Sequence, residues 1–369
     1  MTLSPAPTRS GYWRGLAFWS LLVLLAFELG IRLFIVHSPQ REYAPEWGVI
    51  PREGSYAMQG LEGYASQGYF GYGEVETPYR DGMSIVVLGD STTLAAQVNP
   101  NDNFVSLTEA RLRQDGFEVD MHNLGRSARL MSDHVFLAPA VNAAYAPQIV
   151  IAQVSLDSFT LSFDPANENY FVEDEAGNLT LNHQEPPALR ELEYRNLVTL
   201  SSLLDHLDFR ARFTLDQTAK QYFGTGVALG GIAIHDMNAL PEADIQNTGQ
   251  EDELLRARRQ VVGQVRALRA AYPASRIILL VVADPPKVDA ATRQIVWETP
   301  EDAQLVSVLE RMSGVKLIYT LKIFQRYYDE YKVLPRGNFN SAFNFGHLNS
   351  HGHQAVAEVL TDALEEILK

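Results

Sequence analysis

The chain has 369 residues and no cysteine, with 30 Lys+Arg against 45 Asp+Glu, a formal charge of −15, and 46% hydrophobic residues. That balance excludes wholesale disorder and argues against nucleic acid as a partner, since a phosphate-backbone binder needs a basic face. The missing thiols exclude disulfides, iron–sulfur clusters, thiolate zinc sites and cysteine nucleophiles.

The first predicted element is apolar. Gly15 to Phe27 (GLAFWSLLVLLAF) carries no charge, and Leu16 to Val36 spans 21 residues. At 1.5 Å per residue that length crosses roughly 30 Å of hydrocarbon. Glu28 and Arg32 are four apart, a spacing that lets them pair near the outer interface, where Arg snorkels. No small-x-small cleavage site follows, so the segment is expected to stay as an anchor. Arg9 and Arg14 precede it and place the N-terminus inside, which leaves the rest of the chain outside the cytoplasm. The expected organisation is a cytoplasmic N-terminus over 1–15, a single membrane pass over 16–36, an extracytoplasmic stalk over 37–80, and one domain over 81–369 with an insertion around 160–250. The stalk is rich in Gly, Tyr, Glu and Pro and has no sustained periodicity. It reads as a segment wrapping a domain edge; the alternative is an aromatic sugar platform of Tyr64, Tyr69, Phe70 and Tyr72.

From Ser84 onward, strands alternate with helices. Ile85–Leu88, Ile149–Ala152, Ile277–Val282 and Val315–Tyr319 are short apolar runs of the kind buried in a parallel sheet. Phe117–Met121 alternates and leads into His122-Asn123. Residues 170–172 and 179–181 flank Gly177-Asn178 and read as a hairpin. A helix over 251–271 is expected to turn Leu254, Leu255, Val261, Val262, Val265 and Leu268 inward. Ala355, Val356, Val359, Leu360, Ala363, Leu364 and Ile367 form the apolar face of a terminal helix. The fold class is therefore α/β, a sandwich around a mainly parallel sheet.

In such sheets, chemistry gathers where the strands end. Those ends carry Gly89-Asp90-Ser91, Asn123-Leu124-Gly125, Ser155-Leu156-Asp157-Ser158 and Asp284-Pro285-Pro286. Asn344 to Asn349 precedes the last helix. A serine at a strand-to-helix turn presents its hydroxyl at the top of the sheet, and its own N–H points at a developing oxyanion. His347 is placed to take the serine proton, and Gly125 offers a second N–H unobstructed by a side chain. His351 and His353 have no nearby carboxylate at ligand spacing, so capping or surface positions are expected and no metal is assigned. No Gly-rich phosphate loop is present, and no cofactor is assigned.

IVVLGDSTTLAAQV (Ile85 to Val98), Asn123-Leu124-Gly125, and His347-Leu348-Asn349 with Gly352 together resemble the SGNH (GDSL) hydrolase superfamily. The narrower resemblance is to membrane-anchored members associated with exopolysaccharide modification. It covers roughly residues 80–369 and implies a flavodoxin-like three-layer sandwich. The activity it implies is ester hydrolysis or acyl transfer on a carbohydrate ester or cell-envelope polysaccharide. Ser91 is then the nucleophile, His347 the base, and Ser91 and Gly125 the oxyanion donors, with Asp90 and Asn123 supporting. The sequence departs from the family at three places. Asn344 and Phe345 stand where the acid of the triad is expected, Asp157 where the oxyanion-hole asparagine is expected, and Ala95 where a glycine is expected. An amide at 344 orients an imidazole without stabilising its charge. Asp284 and Asp157 are the carboxylates able to substitute. Two functions follow: an anchored serine esterase or acyltransferase with a weakened site, or a non-catalytic SGNH-fold subunit that binds or braces within a membrane-protein complex.

Overall fold

In the computed structural model the described residues are 9–34, 41–52, 54–58, 66–70, 82–184, 197–198, 203–204, 207, 250–288, 293–338 and 346–369. Helix α1 (Arg9–Phe34) starts earlier than the apolar run suggests. Its stretch Tyr12–Ile31 is long and apolar enough to cross a membrane. Apolar side chains along it, Phe18 and Leu24 among them, are exposed.

The stretch without sustained periodicity contains two hairpins. β1 (Arg41–Ala44) pairs antiparallel with β2 (Gly48–Pro51), and β3 (Gly54–Met58) with β4 (Ser66–Phe70). Gly48 closes the first turn at φ 69°, a conformation open to glycine at little cost. Of the proposed aromatic platform, Tyr64 and Tyr72 lie outside the described residues, and Tyr69 and Phe70 belong to β4.

Five parallel strands form the central sheet: β5 (Met83–Gly89), β6 (Val119–Gly125), β7 (Ile149–Val154), β10 (Arg276–Val281) and β13 (Val315–Tyr319). Their order across the sheet is β6-β5-β7-β10-β13. Numbered along the chain this is 2-1-3-4-5, the flavodoxin-like winding. Side chains alternate between two apolar layers, as the strand period of two requires. Ile85, Val87, Ile149, Ile151, Ile278 and Leu280 face helices α3 (Phe104–Gln114), α9 (Leu321–Tyr331) and α10 (Ser350–Leu368). On the other face, Val86, Leu88, Val150, Ala152, Leu279 and Val281 meet α4 (Met131–Phe136), α5 (Ala138–Tyr145), α7 (Gln250–Ala271) and α8 (Pro300–Glu310). The expected three-layer α/β sandwich is the observed one. In α7, Val261, Val265 and Leu268 are buried as expected, whereas Leu255 is 48% exposed near the helix start. Leu254's side chain lies outside the described residues. The hairpin of β8 (Asn169–Glu173) and β9 (Leu179–His183) forms where the turn residues point to it; the short helix α6 (Ser158–Leu161) precedes it, and β11 (Lys287–Val288) pairs antiparallel with β12 (Ile295–Val296) after β10.

Winding as 2-1-3-4-5 reverses direction between β5 and β7. The crevice at that reversal, at the carboxyl ends of the strands, is where such sheets bind ligands.

Candidate active site

Ser91 leaves β5 at that reversal. It is the first residue of α2 (Ser91–Leu94), capped by Asp90, whose carboxylate accepts the Thr92 N–H at 2.7 Å. A four-residue helix needs help to hold its place, and Gln153 of β7 provides it. Gln153 Oε1 accepts both the Asp90 N–H at 3.1 Å and the Thr93 hydroxyl at 2.8 Å. A second brace comes from Asn123 of β6, whose Nδ2 donates to Thr93 O at 2.8 Å. The turn packs so closely that a Cβ at Gly89 would collide with the Thr93 side chain, and one at Gly125 with the backbone of Thr93 and Leu94. Ala95 ends the helix at φ 55°, in the left-handed region. There a Cβ costs roughly 1–2 kcal/mol, which explains why a glycine is expected at this place.

His347 arrives from the other end of the chain. Its Nε2 lies 2.8 Å from Ser91 Oγ across 256 positions of sequence. Both groups are half-buried. The loop carrying His347 is held by Arg336, which donates to Gly346 O at 3.0 Å and to Ala283 O at 3.1 Å. Gly337 N donates to His347 O at 3.2 Å. Asn349 caps α10, accepting the Gly352 N–H at 3.0 Å, and its Nδ2 donates to Leu334 O at 2.8 Å. Gly352 is required because a Cβ there would strike Pro335 O. Arg336 therefore ties the histidine loop to the strand end that carries Asp284, and Asn349 ties it to the segment of Leu334 and Gly337.

The remaining sequence-selected residues divide. Asp90 caps the helix that begins with Ser91, and Asn123 braces it. Gly125 sits behind that helix, and its N–H donates to Asn123 Oδ1 at 3.0 Å. Asp157 follows β7 and accepts a hydrogen bond from Ser155 Oγ. Asp284 follows β10, and its carboxyl is pushed above the usual range by desolvation; Arg336 opposes that shift and Asp157 adds to it. Asn344 and Phe345, the positions expected to carry the triad acid, lie outside the described residues. His351 is exposed at the start of α10 as expected, but His353 is not a surface residue. It is buried, stacks on Phe104 with ring centroids 5.9 Å apart, and accepts the Phe104 N–H on Nδ1 at 3.3 Å. Burial lowers its pKa to about 3. It is a neutral core residue because helix α10 turns that face onto α3, a tertiary contact that local spacing does not encode.

Three positioning residues escaped the sequence reading. Gln153 had a signal, being the one polar residue in the run Ile149–Val154. His134 is buried, its pKa lowered to about 4 by desolvation, and its Nε2 lies 3.1 Å from Gln153 O. A carbonyl only accepts, so this neutral imidazole carries its proton on Nε2. Arg336 had no signal in its neighbourhood.

Beside the site, the β1–β2 hairpin covers a pocket of about 160 Å³ lined by Trp47, Arg129, Asp133 and Glu168. Arg129 donates to Leu124 O at 2.8 Å and Trp47 O at 3.3 Å, tying the hairpin to the end of β6. Desolvation raises the Glu168 carboxyl to about 7, with Asp133 adding and Arg129 opposing.

No family model matches the chain, and no curated protein matches it. Solved structures do. It is similar to TesA at 10% identity and TM-score 0.39, over 77% of this chain and 98% of that one. Esterase EstA from Pseudoalteromonas sp. matches at 10% identity and TM-score 0.37, over 78% and 98%. An acetyl xylan esterase, AlAXEase, matches at 14% identity and TM-score 0.39, over 76% and 98%. Likeness at these TM-scores carries no functional weight for this chain beyond what its own strand order and site geometry supply.

Proposed function

We propose that the chain is a membrane-anchored, extracytoplasmic serine esterase or acyltransferase of the SGNH type, acting on O-acyl groups of a polysaccharide. One observation carries this reading: Ser91 Oγ and His347 Nε2 lie 2.8 Å apart at the winding reversal of a parallel sheet. The polysaccharide and the extracytoplasmic orientation rest on the sequence resemblance, the apolar helix and the positions of Arg9 and Arg14. The organisation read from sequence, with anchor, stalk and domain, belongs to the same proposal.

In the reaction, His347 Nε2 accepts the Ser91 proton as Oγ attacks the acyl carbon. Negative charge develops on the carbonyl oxygen, and the Ser91 N–H at the start of α2 is the donor that meets it in this reading. The imidazolium then returns the proton to the departing sugar oxygen, leaving acyl-Ser91. Water or an acceptor hydroxyl, deprotonated by the same histidine, releases the acyl group. For Gly125 to act as a second donor, its N–H has to exchange Asn123 Oδ1 for the oxyanion. Asp157 brings a carboxylate where a donor is wanted. Both features slow the reaction.

Those same two features favour a second reading, a non-catalytic subunit of a membrane complex. A fluorophosphonate probe separates the two. Slow labelling of the wild-type chain that disappears in Ser91→Ala supports the enzyme. Absence of labelling, in the wild type and in an Asp157→Asn variant alike, supports the subunit.

A further inference from the structure

Four stretches of chain meet around the pocket of about 160 Å³ under the β1–β2 hairpin. The hairpin supplies Trp47, the loop after β6 supplies Arg126 and Arg129, α4 supplies Asp133 and Phe136, and the approach to β8 supplies Glu168. Arg129 and Asp133 already use their hydrogen bonds within the fold. Arg129 donates to the Leu124 and Trp47 carbonyls. The Asp133 carboxylate accepts the Leu130 N–H and the Asn169 side-chain amide, each at 2.7 Å. Glu168 differs. Its Oε1 is buried and accepts no hydrogen bond, and among the described residues no group donates to Oε2 either. The carboxylate is held beneath the hairpin, where a Cβ at Gly48 would lie 3.3 Å from Oε1. Polar groups taken from water are normally partnered. An acceptor left open where the neighbouring Arg and Asp are engaged marks the place of a donor from outside the chain.

The walls define the donor. Arg126 and Arg129 balance Asp133 and Glu168 in charge, so the pocket suits a neutral ligand better than an ion. Trp47 and Phe136 add flat apolar surface, and Trp47 is set at 90° to Tyr145 with ring centroids 6.3 Å apart. Aromatic walls with a few placed polar groups are the ordinary make-up of a small-molecule site. A neutral molecule with hydroxyl donors at its edge and C–H groups on its faces is a sugar ring. The pocket also adjoins the reacting serine. The Arg126 N–H donates to Gly89 O at 2.9 Å. Ser91 lies two residues beyond Gly89, at most about 7.6 Å of chain. We propose that this pocket holds a sugar unit neighbouring the acylated one, with Glu168 accepting a hydrogen bond from a sugar hydroxyl and Trp47 lining the ring. This rests on the reading of Ser91 as acting on a polysaccharide, and extends it: the hairpin that precedes the domain takes part in recognising substrate.

Binding is measured on the full chain, in a detergent without a sugar headgroup, by saturation-transfer NMR. At pH 8 the Glu168 carboxyl, with a pKa of about 7, is ionised. The probes are the methyl glycosides of glucose, mannose and galactose, with ethanolamine as a cationic donor. Saturable binding of at least one glycoside is expected. Glu168→Ala should weaken it by roughly tenfold or more, the scale of a hydrogen bond to a charged group. Ser127→Trp, at an exposed residue of the pocket wall, should weaken it by obstruction and guards against a disturbed fold at 168. Binding that survives both substitutions, binding of ethanolamine alone, or no binding of any probe overturns the proposal. Fluorophosphonate labelling of Ser91 in the same preparation tests the underlying reading separately. Labelling without glycoside binding rejects the pocket and leaves the esterase standing. Glycoside binding that both substitutions abolish, without labelling, keeps the pocket and counts against the enzyme.

Discussion

Gly125 donates its N–H to Asn123 Oδ1 at 3.0 Å, while the other end of the same amide donates to Thr93 O at 2.8 Å. Asn123 thus joins the end of β6 to the helix that begins with Ser91, and it is 2% exposed. Asn123→Ala leaves a buried N–H and a buried carbonyl unpartnered, each costing about 1–3 kcal/mol. A stability loss of about 2–4 kcal/mol in urea denaturation is expected, with slower labelling of Ser91. A loss below about 0.5 kcal/mol contradicts the bracing role.

Arg336 is the corresponding brace for the histidine. Its guanidinium spans two carbonyls, Ala283 O and Gly346 O, which a lysine ammonium on a flexible stem does not hold in the same fixed geometry. Arg336→Lys should slow probe labelling of Ser91 by about 10²-fold, the scale expected for a misplacement near 1 Å. The pH midpoint of labelling should stay where it is, because the base is unchanged. An unaltered rate means the loop holds His347 without Arg336.

In the proposed reaction, Asp157 would meet the oxyanion with a charge where a donor is wanted. Asp157→Asn removes the carboxylate and supplies an amide N–H, and one well-placed donor is worth about 10²–10³ in rate. A gain in the second-order labelling rate is expected, and its size measures how near the side chain lies to the developing charge. No gain places Asp157 outside the hole.

Glu168 gives the fold a pH dependence of definite sign. Its folded pKa, about 7, lies above the ordinary value of 4.5 because desolvation disfavours the ionised form. The folded state therefore binds this proton more tightly than the unfolded chain, and ionisation works against folding. Stability should fall as pH rises from about 4.5 to 7. Glu168→Gln removes that contribution, so its advantage over the wild type should grow across the same window in denaturation curves. A constant difference from pH 4.5 to 8 would mean that Glu168 is not desolvated in the fold.

The amino-acid sequence by itself determined the strands of the central sheet. Runs such as Ile85–Leu88 and Ile277–Val282 are apolar on both alternating faces, and only a layer covered on both sides buries them. It also determined where chemistry was to be sought, because Ser91 ends one such run and His347 precedes the last amphipathic helix. The hairpins within 41–70 were not legible, since short Gly- and Tyr-rich strands carry no clear period. The burial of His353 and the roles of Gln153 and Arg336 were decided by tertiary structure alone. Each joins groups that local spacing does not bring together: Phe104 to His353, Gln153 to the Asp90 turn, Arg336 to both Ala283 and Gly346. Periodicity reports what a residue does to its own helix or strand. Which distant backbone group a buried polar side chain satisfies depends on strand order and on how closely the layers approach, and those exist only once the chain has folded.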